Sequence, residues 1–356
     1  MMVLDFYKNK KILVTGHTGF KGSWLCSALI MSGASVTGYA LKPPTEPSLF
    51  KLLQLEEKMN SQIGDIRDLE HMLRIFEEFK PEIVFHMAAQ PIVRESYKDP
   101  VYTYDVNVMG TVNILECIRK TDSVKSFVNV TTDKVYKNRE WLWGYRENEE
   151  LNGFDPYSNS KSCSELVTES YRQSFFSEST CALSTMRAGN VIGGGDFAVD
   201  RILPDCFRAA SRGENIQVRN PESVRPYQHV LEPVMAYLLL AKEQFLNPQI
   251  AGAYNIGPDE GGCIYTGELV DLFCNMWNDN SLKKVCRQNI SQQGPHEANY
   301  LRLDNSKFKH AFAWQPMWNV EQALAKTVEI YKLIYQKVDI FAAVENQIKE
   351  YLNERN

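Results

Sequence analysis

The 356-residue sequence holds no run long and apolar enough to cross a bilayer. Its most apolar stretch, MAYLLLAKEQFL from Met235, is broken by Lys242 and Glu243, well short of the roughly 20 residues that a spanning helix needs. The N-terminus, MMVLDFYKNKK, carries charges but none of the apolar core of an export signal. The eight cysteines, at 26, 117, 163, 181, 206, 263, 274 and 286, include no Cys-x-x-Cys pair and no Cys/His cluster. The common zinc frameworks are therefore missing, and no metal is expected. A surplus of cations is missing too. With 39 Lys and Arg against 44 Asp and Glu, the net charge is -5, without the basic footprint of a nucleic-acid binder. These absences predict a cytoplasmic protein with reduced, mostly buried thiols and no membrane or nucleic-acid partner.

What is present is alternation. KILVTG (11–16), ASVTGYAL (34–41), QIGDI (62–66), EIVFHMAA (82–89) and SFVNVTT (126–132) read as short buried strands. Helical patterns occupy 22–32, 69–79, 101–119 and 157–175, and CALSTMRAGNVIG (181–193) holds a further strand. Strands alternating with helices imply parallel pairing through crossovers, hence an α/β protein with a doubly wound sheet. Strands apolar throughout fit a sheet covered on both faces. Beyond Gly193 the chain turns rich in glycine, proline and charge, as in GGGDF and RGENIQVRNPESVRPYQH. A smaller C-terminal α/β lobe is expected there. The predicted division gives residues 1–190 to the sheet domain, with returning segments near 230–258 and 319–335. Residues 191–229 and 259–318 form the lobe, and 336–356 a helical tail.

TGHTGFKG places Gly16, Gly19 and Gly22 directly after a strand and at the opening of a helix. In that context the first glycine permits a tight turn, the second lets backbone approach a pyrophosphate, and the third allows close helix–sheet packing. The free N–H groups of the helix start suit the anion. A ribose-binding acid is expected about 20 residues on. Tyr39, Ala40, Leu41 and Lys42 stand there instead, so Lys42 leaves NAD and NADP both open. Asp65 and Ile66, after the third strand, could flank an adenine, or Asp65 could be a solvated turn acid.

PYSNSK sets Tyr157 and Lys161 four residues apart, on one face of a helix. A nearby ammonium favours the phenolate and lowers the tyrosine pKa. The preceding strand ends in Thr131 and Thr132, whose hydroxyl could bond the same substrate oxygen. Together with the glycine loop, these residues resemble the extended short-chain dehydrogenase/reductase family. The longer strings HTGFKGSWL, EIVFHMAAQP, TTDKVY, EWLWGYRE, DPYSNSK, RAGNVIGGGD, RPYQHVLEP and PHEANYLRLD span some 290 residues of this chain. They are most similar to the family's CDP-glucose 4,6-dehydratase branch.

The resemblance implies a Rossmann-type sheet domain that holds NAD and a lobe that holds a nucleotide-sugar. It assigns the cofactor to Gly16, His17, Thr18, Gly19, Phe20, Lys21 and Gly22, with Asp65, Ile66, Ala88, Ala89, Gln90, Asn107, Tyr157 and Lys161. Tyr157 would take the C4 hydroxyl proton as C4 gives its hydride to the cofactor. The ketone then acidifies C5, whose proton Lys134 would remove while Asp133 protonates the leaving C6 hydroxyl. Return of the hydride leaves a 4-keto-6-deoxy sugar. Gln90, Thr132, Asn190, Arg225, His296 and Glu297 are the implied substrate contacts, Arg225 as a fork for the diphosphate. A homodimer or higher homo-oligomer is implied as well. Dehydration of a UDP-N-acetylhexosamine or a nucleotide-linked heptose, an NADP-dependent reduction, and a non-catalytic nucleotide-binding scaffold stay open as alternatives. Asp133 and Lys134 would have no task in either of the last two.

Overall fold

The computed structural model describes residues 3–178, 180–259, 262–278, 284–290 and 301–355. In chain order its strands are β1 (Lys11–Thr15), β2 (Ser35–Ala40), β3 (Asn60–Ile63), β4 (Ile83–His86), β5 (Ser126–Val130), β6 (Ala182–Ala188), β7 (Asn190–Ile192), β8 (Ile216–Val218), β9 (Val224–His229), β10 (Ala253–Ile256), β11 (Cys263–Tyr265) and β12 (Arg287–Asn289). Seven of them form one sheet in the order β10-β6-β5-β4-β1-β2-β3, and every pairing is parallel. The doubly wound sheet expected from alternation is therefore present, and AYNIG returns to it as edge strand β10.

The strands at the centre are buried at every position of β4, β5 and β6, because helices cover both faces. On one side, Leu25 and Leu29 of helix Phe20–Met31 meet Val234 and Leu238 of helix Leu231–Leu246. On the other, Phe76 of helix Leu69–Phe79 meets Ile114 and Ile118 of helix Gly110–Arg119. Each such fully buried side chain contributes roughly 1.5–3 kcal/mol. The small lobe has its own sheet, β11-β9-β7, a two-strand pair of β8 with β12, and a core that includes Phe207, Phe273, Trp277 and Tyr331. Helix Val320–Tyr335 joins the two units: Leu324 and Tyr331 enter the lobe's core, and Ile330 faces the core of the large sheet.

Three elements differ from the sequence expectation. The strand predicted at 62–66 ends at Ile63, because Gly64 N–H bonds back to Ala40 and the Tyr39 hydroxyl caps the Asp65 carbonyl. The helix predicted over 101–119 runs as Pro100–Tyr104, a wider π turn at Asp105–Met109, and then Gly110–Arg119. The strand predicted within 181–193 is two strands: β6 stays in the large sheet, and after Gly189 β7 pairs with β9 in the lobe. Strand order reverses between β1 and β4, and the carboxyl ends of strands at such a point open a crevice. Thr15, Met87 and Thr131 lie at that edge, each just at or after its strand.

Candidate active site

The glycine loop is tight for a physical reason. Gly16 has φ +76°, and a Cβ there would lie 2.7 Å from the backbone nitrogen of Ala88, a conformation and a contact that only glycine accepts. A Cβ on Gly22 would come within 2.3 Å of the Gly16 carbonyl oxygen, so helix Phe20–Met31 packs directly onto the turn. Gly19 differs: its Cβ would meet nothing closer than that same oxygen at 3.4 Å. As N-cap it supplies no side-chain bond to the first helical N–H groups.

Other loop side chains brace the protein. His17 is fully buried, with Nε2 2.8 Å from Ser61 Oγ and its ring edge-on to Phe50. Burial lowers its pKa to about 4, with the backbone of Tyr39 pulling upward. Thr18 donates to the Leu41 carbonyl at 2.9 Å. Both side chains thus brace the loop, His17 against β3 and Thr18 against the chain just after β2. Phe20 lies against Gly193 at the entry to the lobe. The Lys21 side chain makes no hydrogen bond or ion pair among the described residues. Burial, then Arg201 and Lys161, lower its pKa to about 7 against the opposing pull of Asp133 and Asp196.

Asp65 is no free turn acid. It pairs with Arg67 at 2.7 Å, and Arg67 reaches Asp105 at 3.1 Å. The bonds from Arg67 hold the Asp65 carboxyl below its ordinary range, with burial opposing. Ile66 packs on Gly110. Ala88 and Ala89 are half-buried at the crevice, with Ala88 N–H donating to Thr15 Oγ1 at 3.2 Å. The Asn107 amide on the π turn bonds both the N–H and the carbonyl of Gln90, at 2.8 and 3.1 Å, and donates to Ser160 Oγ at 2.9 Å. The Gln90 side chain is engaged by Thr103 and the Ile92 N–H. Gln90 and Asn107 therefore lock the end of β4 to the helix that carries Tyr157.

That helix, Pro156–Phe175, starts where Asp155 caps Ser158 N–H at 3.0 Å and proline occupies the first turn. Lys161 is buried and donates to the Val130 carbonyl at 3.2 Å; burial lowers its pKa to about 8, with Glu165 pulling upward. Opposite, at the end of β5, Thr132 donates to Asp133 Oδ1 at 2.9 Å and accepts from Lys134 N–H. Lys134 Nζ donates to the same Oδ1 at 2.9 Å. Asp133 is buried, whereas the Lys134 side chain is 34% exposed. Burial pulls the Lys134 pKa down, yet Asp133 and Tyr157 outweigh it and hold the ammonium above its ordinary value. Burial raises the Tyr157 phenol; the leading opposition comes from Lys134, followed by its hydrogen bond with Thr132. The cation that chiefly favours the phenolate is thus Lys134, while Lys161 is turned to the strand end.

Across the crevice, Asn190 opens β7 with a buried Nδ2 that has no partner among the described residues. Arg225 on β9 is half-buried and donates to the Val224 carbonyl at 3.1 Å; its charge reaches Lys134. His296 and Glu297 lie outside the described residues. Two participants escaped the sequence reading. Asp196 and Arg201 pair at 2.9 Å, and the Arg201 charge reaches both Tyr157 and Lys21. GGGDF followed by DRIL was their only signal. Among the described residues no group of His, Cys, Asp and Glu could hold a metal.

A family model described as GDP-mannose 4,6 dehydratase matches residues 13–327. The chain belongs to that family. It is 45% identical, over 99% of each chain, to the CDP-glucose 4,6-dehydratase of Salmonella typhimurium. Among solved structures it resembles UDP-glucose 4-epimerase with UDP-glucose from Thermotoga maritima (TM-score 0.77, 24% identity, covering 91% of this chain and 99% of that one). It also resembles dTDP-glucose 4,6-dehydratase in complex with NAD from Bacillus anthracis (TM-score 0.76, 22% identity, 93% and 99%). The fold is that of the extended short-chain dehydrogenase/reductases. The match to the dehydratase family spans the glycine loop, both segments around Tyr157 and Lys134, and Arg225.

Proposed function

We propose that this chain is a CDP-glucose 4,6-dehydratase, a lyase that uses NAD as a recycled cofactor and releases water and a CDP-linked 4-keto-6-deoxy sugar. What carries the reading is one electrostatically coupled group, Thr132, Asp133, Lys134 and Tyr157. It stands beside the glycine loop of a chain 45% identical to an enzyme of that name. The residues present fit a dinucleotide: Gly16 and Gly22 exclude any side chain, and Gly19 leaves room at the helix start. NAD bound there supplies a hydride acceptor that is restored before product leaves.

The protein's own groups move the protons. Tyr157 takes the proton of the C4 hydroxyl, its phenolate favoured by Lys134, Thr132 and Arg201 against burial. Lys134 takes the C5 proton, for which it must first be neutral. Its bond to Asp133 opposes that, so the two roles are coupled: a protonated Asp133 releases Lys134 to act as base. The hydrogen bonds from Thr132 and Lys134 both fall on Oδ1, which leaves Oδ2 to carry the proton given to the departing C6 hydroxyl. Arg225 and Asn190 take the nucleotide's diphosphate side in this reading, with residues 191–229 and 259–318 as the substrate lobe. The enzyme acts in the cytoplasm as a homo-oligomer.

The test is incubation with NAD and a panel of nucleotide-sugars in deuterated water, followed by NMR. A 4-keto-6-deoxy product from CDP-glucose, deuterated at C5 and formed without net reduction of NAD, is the expected result. Net cofactor consumption, or turnover confined to another nucleotide, would overturn it.

A further inference from the structure

We propose that Glu165 is a positioning residue of this centre, joining the strand end that carries Thr132, Asp133 and Lys134 to the helix that carries Tyr157 and Lys161. The inference rests on the dehydratase reading above for its kinetic part only. Tyr157, Lys161 and Glu165 follow one another at intervals of four on helix Pro156–Phe175, so they share a face. The Glu165 carboxylate is 3% exposed. Its Oε1 accepts from Thr131, the residue before Thr132. Its Oε2 accepts from Thr185 Oγ1 at 2.6 Å and from Arg187 Nη2 at 2.8 Å, both on β6.

Arg187 extends the link. Its Nη1 donates to the Tyr136 hydroxyl at 2.6 Å and to the Glu147 carbonyl at 3.0 Å, and Tyr136 donates to Asn255 on β10 at 2.7 Å. Tyr136 lies two residues beyond Lys134. The segment Thr132–Val135 is thus tied on both sides to one carboxylate, through Thr131 before it and Tyr136 after it. A reaction that asks Tyr157 and Lys134 to address adjacent carbons of one sugar needs such registry. Glu165 is also the one carboxylate facing Lys161 from its own helix. Among the described residues, Lys21 of the glycine loop and His86 of β4 are coupled to Lys161 from elsewhere.

The test compares Glu165→Gln with the double variant Glu165→Gln/Arg187→Met, because an arginine buried without its partner can prevent folding. Thr131→Val and Glu169→Gln complete the set. Lysine side-chain NMR titration of the protein without substrate gives a readout independent of turnover. We expect the folded Gln or Gln/Met variant to show kcat about 100-fold lower with KM for the nucleotide-sugar unchanged, and Lys161 titrating below its wild-type value. Thr131→Val should lower kcat and leave the Lys161 titration in place. Glu169→Gln, one turn further on and paired at the surface with Arg172, should change neither. A folded double variant with wild-type kcat and wild-type Lys161 titration would overturn the proposal. So would full activity in the double variant when Glu165→Gln alone fails to fold, since Glu165 would then serve only to neutralise Arg187. If the unaltered protein turns over no nucleotide-sugar, the dehydratase reading fails, and the Lys161 titration still decides whether Glu165 acts on that lysine.

Discussion

At the scale of single residues, the proposed reaction gives Lys134 two tasks that its environment sets against each other. Its ammonium is the leading influence that favours the Tyr157 phenolate, yet as the C5 base it has to lose that charge. Lys134→Met should therefore damage both halves of the reaction. Loss of a positioned base costs about 10²–10⁴-fold in rate, and C5 deuterium incorporation should vanish with it. The residual oxidation at C4 should need a higher pH than in the wild type, because the Tyr157 phenol rises further once the cation that favours its phenolate most is gone. A pH profile of reduced-cofactor formation checks the sign, and an unchanged profile would show that Lys134 does not reach Tyr157.

Asp133 offers a sharper probe through a neighbour. A Cβ on Gly189 would stand 3.2 Å from Asp133 Oδ2 and 3.6 Å from Pro226, close enough to displace the carboxylate without forbidding the fold. Gly189→Ala should slow elimination about tenfold for a stability loss of about 1 kcal/mol, with the oxidised 4-keto intermediate accumulating. Elimination at the wild-type rate would remove the role assigned to Oδ2. This glycine was readable in the sequence only as part of RAGN. Nothing in its spacing says that the chain leaves one sheet for another there, or that a side chain would press on a residue 56 positions earlier.

At the scale of elements, what the sequence disclosed is local and periodic: apolar strands, the helix face of Tyr157 and Lys161, and the turn of the glycine loop. What it hid depends on distant partners. His17 and Thr18 look like loop residues facing a ligand, and only Ser61, Phe50 and the Leu41 carbonyl show that their side chains hold the loop in place. Asn107 and Gln90 likewise answer to each other across the π turn. The loop's close packing yields a prediction at this scale. Gly22→Ala puts a Cβ 2.3 Å from the Gly16 carbonyl oxygen, so the helix must withdraw from the turn. NAD affinity should fall by about tenfold or more, about 1.4 kcal/mol, while affinity for the nucleotide-sugar, which the proposal assigns to the other lobe, holds. Calorimetric titration of each ligand separates the two, and equal losses would mean general disruption.

At the scale of the whole molecule, three buried histidines tie stability to pH. His17 lies under the loop, His86 at the middle of the large sheet, and His229 between Trp24 and Trp318 where the sheet meets the C-terminal helices. Burial holds all three neutral, at about 4, about 3 and about 3. Unfolding returns each to an ordinary value near 6.5. The folded-state pKa lies below the unfolded one, so above about pH 6.5 neither state binds the proton and stability is at its full value. As pH falls toward about 4, the unfolded chain takes up protons that the folded chain refuses. Each histidine then costs about 1.4 kcal/mol per pH unit. His229 is the position to test, because its Nε2 has no partner among the described residues and its ring is held by aromatic edges. His229→Phe should preserve the aromatic contacts, give up the bond that His229 Nδ1 accepts from Leu231 N–H at 3.3 Å, and remove one proton from the linkage. Its urea stability should fall less steeply with acid, by the slope of one histidine, while above about pH 6.5 the variant should sit a constant offset of about 1–3 kcal/mol below the wild type for the lost bond. Parallel curves through the acid range would show that His229 is not held neutral in the folded protein.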